Sequence, residues 1–397
     1  MNYWLNKNVF ISFGKTKSLI CDIRDEYVKI VWNDEEQTNN ILSFIKSDEK
    51  NIFTNELENV GLLSSNEIKI FKNTDYNGVN LNSFNFAWIE VTSKCNFECI
   101  HCYGSFSPVN FQEIDYNDIE FITRELKSLN INSIQIIGGE PFVLKKDKLK
   151  KILNHLKNNF ENIEIYTNGY FLDLDWINFI KESSHIKIAL SIYHHTDKIH
   201  NGITQNNFSF KKIAQTIQLL EEHNINYRLS YIKTKINKNF SINTLRKELN
   251  TKAPIKIDPI RLVGRGNINL TDKEIIEEKS ITLASFQKLK LKSENIQMNF
   301  NQHNCFSKKL YITSDLDIYP CVMERRFKYG NLKDNNLRNI LLSCDSIINL
   351  TKDDVEYCKD CEFKYVCFDC RPDSISENFR EKPYYCKYNP LKGVWSD

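Results

Sequence analysis

Between residues 86 and 266, short runs rich in β-branched residues alternate with stretches whose apolar positions recur every three or four residues. "FAWIEV", "SIQII", "IEIYT", "IKIALSIY", "YRLSYIK" and "KIDPIRLV" read as strands, and 116–129, 146–158 and 210–223 as amphipathic helices. Repeated βα units imply a parallel sheet with right-handed crossovers. Six such units build an open, three-quarter barrel, not a closed eightfold one, and such barrels place chemistry at the ends of their strands. The helix at 146–158 carries the apolar stripe Leu149, Ile152, Leu153 and Leu156, which makes the run Lys145, Lys146, Lys148, Lys150 and Lys151 its solvated face.

Upstream, "KSLICDI" and "YVKIVW" read as strands, 35–47 and 52–59 as helical, and "GLLSSNEIKIF" as a turn and strand. This is the pattern of a small α+β module, and it resembles a winged-helix-like peptide-recognition domain. The polar, Gly/Asn-rich "NTDYNGVNLNS" at 73–83 has the composition of a linker. The expected organisation is three consecutive regions: 1–82, 83–300 and a cysteine-rich 301–397.

The chain has 397 residues, enough to bury two or three cores without disulfides. It shows no secretory signal and no apolar run long enough to span a membrane, so a cytoplasmic protein without membrane association is expected. A formal charge of +2 provides no large field for nucleic acid. In a reducing compartment, the clustered members of its twelve cysteines point to metal binding or chemistry more than to disulfides. Cys21 alone precedes the group Cys95, Cys99 and Cys102, and eight lie from Cys305 onward.

CxxxCxxC directly after the first barrel strand resembles the radical S-adenosylmethionine (radical SAM) superfamily. There three thiolates, here Cys95, Cys99 and Cys102, hold a [4Fe–4S] cluster whose fourth iron is left for the cosubstrate's amine and carboxylate. An open coordination position admits a ligand, whereas a closed four-thiolate site transfers electrons only. The bland alternative is a zinc knot or thiols packed as small hydrophobes. "IIGGEP" after strand two resembles the family's GGE motif, which implies cosubstrate contacts by Gly138, Gly139, Glu140 and Pro141, with Glu140 adding charge complementarity. "YTNG" and "LSIYHH" fit the same family. Ser191 is a candidate polar contact to ribose or carboxylate, or else a serine bonded to backbone. Gly264 in "RLVGRG" is a candidate for admitting the adenine edge. His101 is read as supporting the cluster loop without ligating iron, and His194, His195 and His200 as carrying no metal.

"CKDCEFKYVCFDC" and the flanking cysteines resemble the SPASM domain, which holds two auxiliary iron–sulfur clusters. The resemblance implies Cys358, Cys361, Cys367 and Cys386 for one cluster, and Cys305, Cys321 and Cys370 for the other. A pair of structural zinc sites is the rival. This chain departs from the pattern in three places. Leu316 replaces the usual glycine, Cys367 and Cys370 are separated by two residues, and no cysteine shortly precedes Cys305, which leaves His303, Asn304, water or substrate to complete that site. Val322 stands where sulfatase-maturing relatives carry an aspartate base, with Glu324 nearby as the substitute. Cys21 and Cys344 read as buried thiols.

The resemblance therefore implies a partial (β/α)6 TIM barrel flanked by a small N-terminal domain and a SPASM domain. It implies S-adenosylmethionine cleavage to a 5′-deoxyadenosyl radical and an oxidative modification or cross-link, thioether or carbon–carbon, in a ribosomally made precursor peptide with a leader segment. Implied partners are reduced flavodoxin or ferredoxin and, from the likeness of the amino-terminal pattern to grasp-with-spasm maturases, an ATP-grasp ligase. Epimerisation, sulfatase-maturase-like or small-molecule chemistry and a non-catalytic zinc-binding interaction protein are the alternatives.

Overall fold

Five antiparallel strands open the chain: β1 (Tyr3–Asn6), β2 (Val9–Phe13), β3 (Ser18–Asp22), β4 (Lys29–Asn33) and, beyond helices α1 (Glu35–Ser47) and α2 (Ile52–Asn59), β5 (Lys69–Ile70). Their order is β4-β3-β2-β1-β5. Both helices begin at capping boxes, Asp34 with Gln37 and Asn51 with Thr54, which satisfy their first free N–H groups. In this computed structural model the described residues are 2–70, 78–109, 111–287, 290–367, 369–374, 378 and 380–396. Part of the expected linker at 73–83 lies outside them; Leu81–Ser83 forms a single turn capped by Asn80.

The sheet is buried on both faces. Leu5, Val9, Ile11 and Ile20 pack with Ile41, Phe44 and Leu57 of the two helices. Phe10, Leu19 and Cys21 face the other way, into a core with Phe286, Ile296, Phe300, Phe363, Tyr365 and Tyr388. Strands β1 and β2 were not expected from the sequence. Covered on both sides, "VFISF" lacks the period-two alternation that marks a half-exposed strand, its one polar residue, Ser12, being buried as well.

This shared core redraws the domain boundaries. One compact unit comprises Met1–Val79, Ser280–Phe306 and Asp345–Asp397, and the other comprises Asn80–Lys279 and Ser307–Cys344. The division expected near 82 lies close to the Val79/Asn80 boundary, whereas the one expected at 300 falls inside Ser280–Phe306, because the N-terminal sheet completes its hydrophobic core with that segment and the last stretch of the chain.

The second unit contains the six expected parallel strands in sequential order: β6 (Phe86–Thr92), β7 (Ser133–Gly138), β8 (Asn162–Thr167), β9 (Ile186–Ser191), β10 (Tyr227–Lys233) and β11 (Ile255–Pro259). Between them run α3 (Tyr116–Ser128), α4 (Lys146–Lys157), α5 (Leu174–Lys181), α6 (Asp197–Thr204), α7 (Ser209–Glu222) and α8 (Ile242–Glu248). Beside β6 the sheet continues with β12 (Lys309–Ile312), parallel to it, and then antiparallel β13 (Asp317–Tyr319) and β14 (Gly330–Asn331).

Ile312, Ile89, Ile136, Ile165 and Ile188 lie side by side across five strands, all fully buried. Burying side chains of this size stabilises the unit by roughly 1.5–3 kcal/mol each. The alternate positions carry a polar chain. Trp88 Nε1 donates to Gln135 (2.6 Å), Gln135 donates to Glu164, and Arg228 grips both Glu164 oxygens (2.7 and 2.8 Å) and donates to Tyr166 (3.0 Å). Period-two alternation thus separates a dry face from a polar one. On α4 the lysines are solvated as expected, Lys146 and Lys150 meeting Asp173 and Asp175. Among the described residues no helix is long and apolar enough to cross a membrane.

Candidate active site

The loop after β6 brings Cys95, Cys99 and Cys102 together around Phe97 and Phe106. Its backbone is held from two sides. The N–H groups of Gly139 and Glu140, after β7, donate to the carbonyls of Thr92 and Lys94, both at 2.8 Å. From beyond β11, Arg265 donates its backbone N–H to the Cys102 carbonyl (2.9 Å) and its guanidinium to the carbonyls of Cys99 and Phe106 (2.8 Å each).

Glycine is required at these seams. A Cβ on Gly138 would lie 2.2 Å from the Thr92 oxygen, and one on Gly139 2.2 Å from that of Lys94. Gly264, at φ +59°, abuts the carbonyls of Cys102 and Tyr103. The space an added Cβ would take at Gly264 is therefore filled by the cluster loop, and its freedom serves loop packing.

Glu140 is likewise packed into the fold. Its carboxylate is fully buried and accepts from Thr167 Oγ1 (2.7 Å), Asn168 N (2.7 Å) and Phe142 N (3.1 Å). It ties the GGEP turn to "YTNG", a positioning role. Burial outweighs these bonds and raises its pKa to about 7. Pro141 starts the following turn and is buried, with Phe142 packed edge-on to Trp176. Ser191 ends β9 and hydrogen bonds Tyr193, whose phenol feels the charges of all three cysteines. The His101 ring meets Tyr193 edge-on at 4.6 Å. His200 Nδ1 accepts from the Tyr193 backbone, and His194 bonds Thr196, so these histidines serve packing.

The three thiols fit a metal centre by their chemistry. Burial pushes Cys95 up to about 12 and Cys99 well above the ordinary thiol value, and each is raised further by its cysteine neighbours. Three thiolates there require cations among them. Arg265, which lowers Cys95 and Cys99, has no motif to announce it. The only sequence signal was a cation beside the glycine of "RLVGRG".

In the other unit, Cys361 feels Cys358 and Cys367, and Cys367 feels Cys386 and Cys358, so the expected four share one neighbourhood. Cys305 hydrogen bonds Cys370, and with His303 and the Arg371 N–H this holds its thiol well below the ordinary range. Cys321 belongs to the barrel unit. His303 is not free to ligate. Its Nδ1 accepts from the Cys305 N–H and its Nε2 bonds Asp369, both at 3.0 Å. Glu324 is likewise engaged, fully buried and clasped by Arg326. Cys21 and Cys344 are buried as expected. Among the described residues no three Cys, His, Asp or Glu side chains converge as a single-ion site.

The sequence matches the radical SAM superfamily over residues 89–237 and the SPASM iron–sulfur cluster-binding domain over 305–362. These matches define the class: a radical SAM enzyme with a SPASM domain, whose cofactors are S-adenosylmethionine, a [4Fe–4S] cluster and auxiliary iron–sulfur clusters. The chain is 26% identical over 145 residues to the subtilosin biosynthesis protein AlbA of Bacillus subtilis, covering 36% of this chain and about a third (32%) of AlbA. It is 22% identical to the AdoMet-dependent heme synthase of Methanosarcina barkeri, covering 77% of this chain and 97% of that one. Its fold resembles that of Streptococcus suis SuiB bound to the precursor peptide SuiA, with TM-score 0.57 and 16% identity over 98% of this chain and all of SuiB.

Proposed function

We propose that the chain is a peptide maturase that installs an oxidative side-chain link, thioether or carbon–carbon, in a ribosomally made precursor. The supporting observation is that the likeness to SuiB runs through 98% of the chain, N-terminal sheet included, in a protein solved with its precursor peptide. The likeness to AlbA of the subtilosin pathway supports the same substrate class.

In this reading Cys95, Cys99 and Cys102 hold the [4Fe–4S] cluster, while Cys358, Cys361, Cys367 and Cys386, and separately Cys305, Cys321 and Cys370, hold the auxiliary ones. Bound S-adenosylmethionine supplies a 5′-deoxyadenosyl radical able to take hydrogen from an unactivated carbon. The chain's own part is positional. Arg265 and the Gly138–Gly139–Glu140 backbone fix the cysteine loop, and Ser191 with Tyr193 lines its approach. Neither Val322 nor the clasped Glu324 offers the free carboxylate of a sulfatase-maturing site. Reduced flavodoxin or ferredoxin as donor and an ATP-grasp ligase as a second modifying enzyme complete the proposal.

Coexpression with a short precursor peptide from a neighbouring reading frame tests this reading. Loss of two hydrogen atoms per link, absent in Cys95→Ala, is the expected mass change. A peptide of unchanged mass beside rapid S-adenosylmethionine turnover overturns it and favours small-molecule chemistry, the reading that the heme synthase match supports.

A further inference from the structure

Four ionisable side chains are buried where the two groups of C-terminal thiols approach each other in sequence: His303 (4% exposed), Lys352 (5%), Asp369 (8%) and Arg371 (0%). Only Asp369 lies inside a recognised motif, between the cysteines of "CKDCEFKYVCFDC". Asp369 is the hub, paired with both Lys352 and Arg371 and bonded to His303 Nε2. Two basic side chains thus meet one carboxylate. The Lys352 ammonium and the Arg371 backbone also reach sulfur. Lys352 Nζ donates to Cys367 Sγ at 3.6 Å, and the Arg371 backbone N–H donates to Cys305 Sγ at 3.5 Å.

An ammonium so deeply buried is costly unless anions surround it. Asp369, shared with Arg371, is half an answer, and the thiolates of a cluster are the other half. The same contact acts on the cluster in return. A cation hydrogen bonded to a ligating sulfur stabilises the more negative, reduced state, and such bonds are among the determinants of iron–sulfur potentials. Consistently, Lys352 and Arg371 both pull the Cys367 thiol down against the effect of burial.

We propose that Lys352 sets the reduction potential of the auxiliary cluster ligated by Cys367, with Asp369 moderating it from behind. The electron balance is simple: the substrate radical left by hydrogen abstraction gives up one electron, the cluster gains it, and Lys352 takes no part in any bond made or broken. Lys352 is thereby a positioning residue of the oxidative half of the reaction, holding that cluster ready to accept an electron. The role rests on the auxiliary-cluster assignment proposed above.

The test is a potentiometric titration with dithionite, followed by electron paramagnetic resonance, on the full chain reconstituted with iron and sulfide. Lys352→Met should lower the potential of one auxiliary cluster by a tenfold change in its reduced-to-oxidised ratio, about 59 mV for a one-electron couple. Lys352→Arg should stay within about threefold of wild type. Asp369→Asn should move the same cluster the opposite way, a sign that general loosening does not produce. The signal of the Cys95 loop should stay in place throughout.

Unmoved potentials in Lys352→Met with full iron content overturn the proposal, as does a fall in Asp369→Asn. Should Lys352→Met fail to retain iron, Asp369→Asn decides alone, a rise supporting the role and no change or a fall ending it. Wild-type chain with iron for the Cys95 loop only removes the auxiliary-cluster assignment itself, a failure that iron content separates from the others.

Discussion

Gly264 rests against Cys102 with no room for a methyl group: a Cβ there would lie 2.4 Å from the Cys102 carbonyl oxygen, at a φ of +59°. Gly264→Ala is therefore expected to displace the cysteine loop and lose its iron while sparing the auxiliary sites. Gly202, inside α6 with nothing within 4 Å of an added Cβ, is the control. Gly202→Ala should retain all iron and gain roughly 0.5–1 kcal/mol of stability. Iron per chain and thermal midpoints check both, and equal iron in the two variants contradicts the packing role.

Arg265 spans the loop by donating to the carbonyls of Cys99 and Phe106. Arg265→Met leaves two carbonyls without those donors and should sharply reduce iron uptake at this loop. Arg265→Lys should restore only part of it, since one ammonium does not reproduce the planar fork. Reconstitution yields, read with S-adenosylmethionine cleavage, decide the order of wild type, Lys and Met.

Glu140 predicts a pH dependence in the cluster-free chain. Its folded pKa is raised by burial from 4.5 to about 7, so the fold favours the protonated form. The stability it contributes is fully present below pH 4.5 and is lost as pH rises through 7, on the order of 3 kcal/mol. Glu140→Gln, which stays neutral, should flatten the thermal midpoint across that window. Parallel curves for the two proteins would rule this titration out.

Leu316 occupies a left-handed conformation, φ +69°, while only 2% exposed, at the position where glycine is usual in SPASM domains. Leu316→Ala loses the burial and keeps the strain, whereas Leu316→Gly loses the burial and relieves it, by roughly 1 kcal/mol. Gly should accordingly be the milder substitution, reversing the usual order. Denaturation of the two variants measures the difference directly.

Removing residues 1–75 should expose Phe286, Phe363, Tyr365 and Tyr388, which share a core with Phe10 and Leu19. The truncated chain is expected to lose structure around Cys358, Cys361, Cys367 and Cys386 together with any peptide binding. Proteolysis and iron content of the truncated chain report this loss. A truncation that keeps its auxiliary iron would show the sheet to be dispensable.

The six barrel strands and α4 were legible because each obeys a local rule, either a β-branched run or an apolar stripe such as Leu149, Ile152, Leu153 and Leu156. The group Cys95, Cys99 and Cys102 and the run from Cys358 to Cys370 stand out for the same reason, since each spacing is confined to a few consecutive residues. What escaped depends on distance along the chain. Arg265 finds its acceptors some 160 residues earlier, and nothing in "RLVGRG" names them. His303 read as a spare ligand until Asp369, 66 residues on, took its second nitrogen, whereas Glu324 is clasped by Arg326 only two residues away, a local pairing that carries no motif. Strand β2 was hidden by being buried twice over.

The core joining Phe10 to Phe363 and Tyr388 also imposes an order of events on a chain emerging from the ribosome. The first sheet can pair its strands and cover one face with α1 and α2 early, but its other face has no partner until the final stretch has been translated. At about 5–20 residues per second that interval is on the order of tens of seconds. Through it, Phe10 and Leu19 remain an apolar surface in search of cover, a natural client for a chaperone. The auxiliary thiols are consequently gathered last, after the barrel's own cysteine loop has been complete for some time.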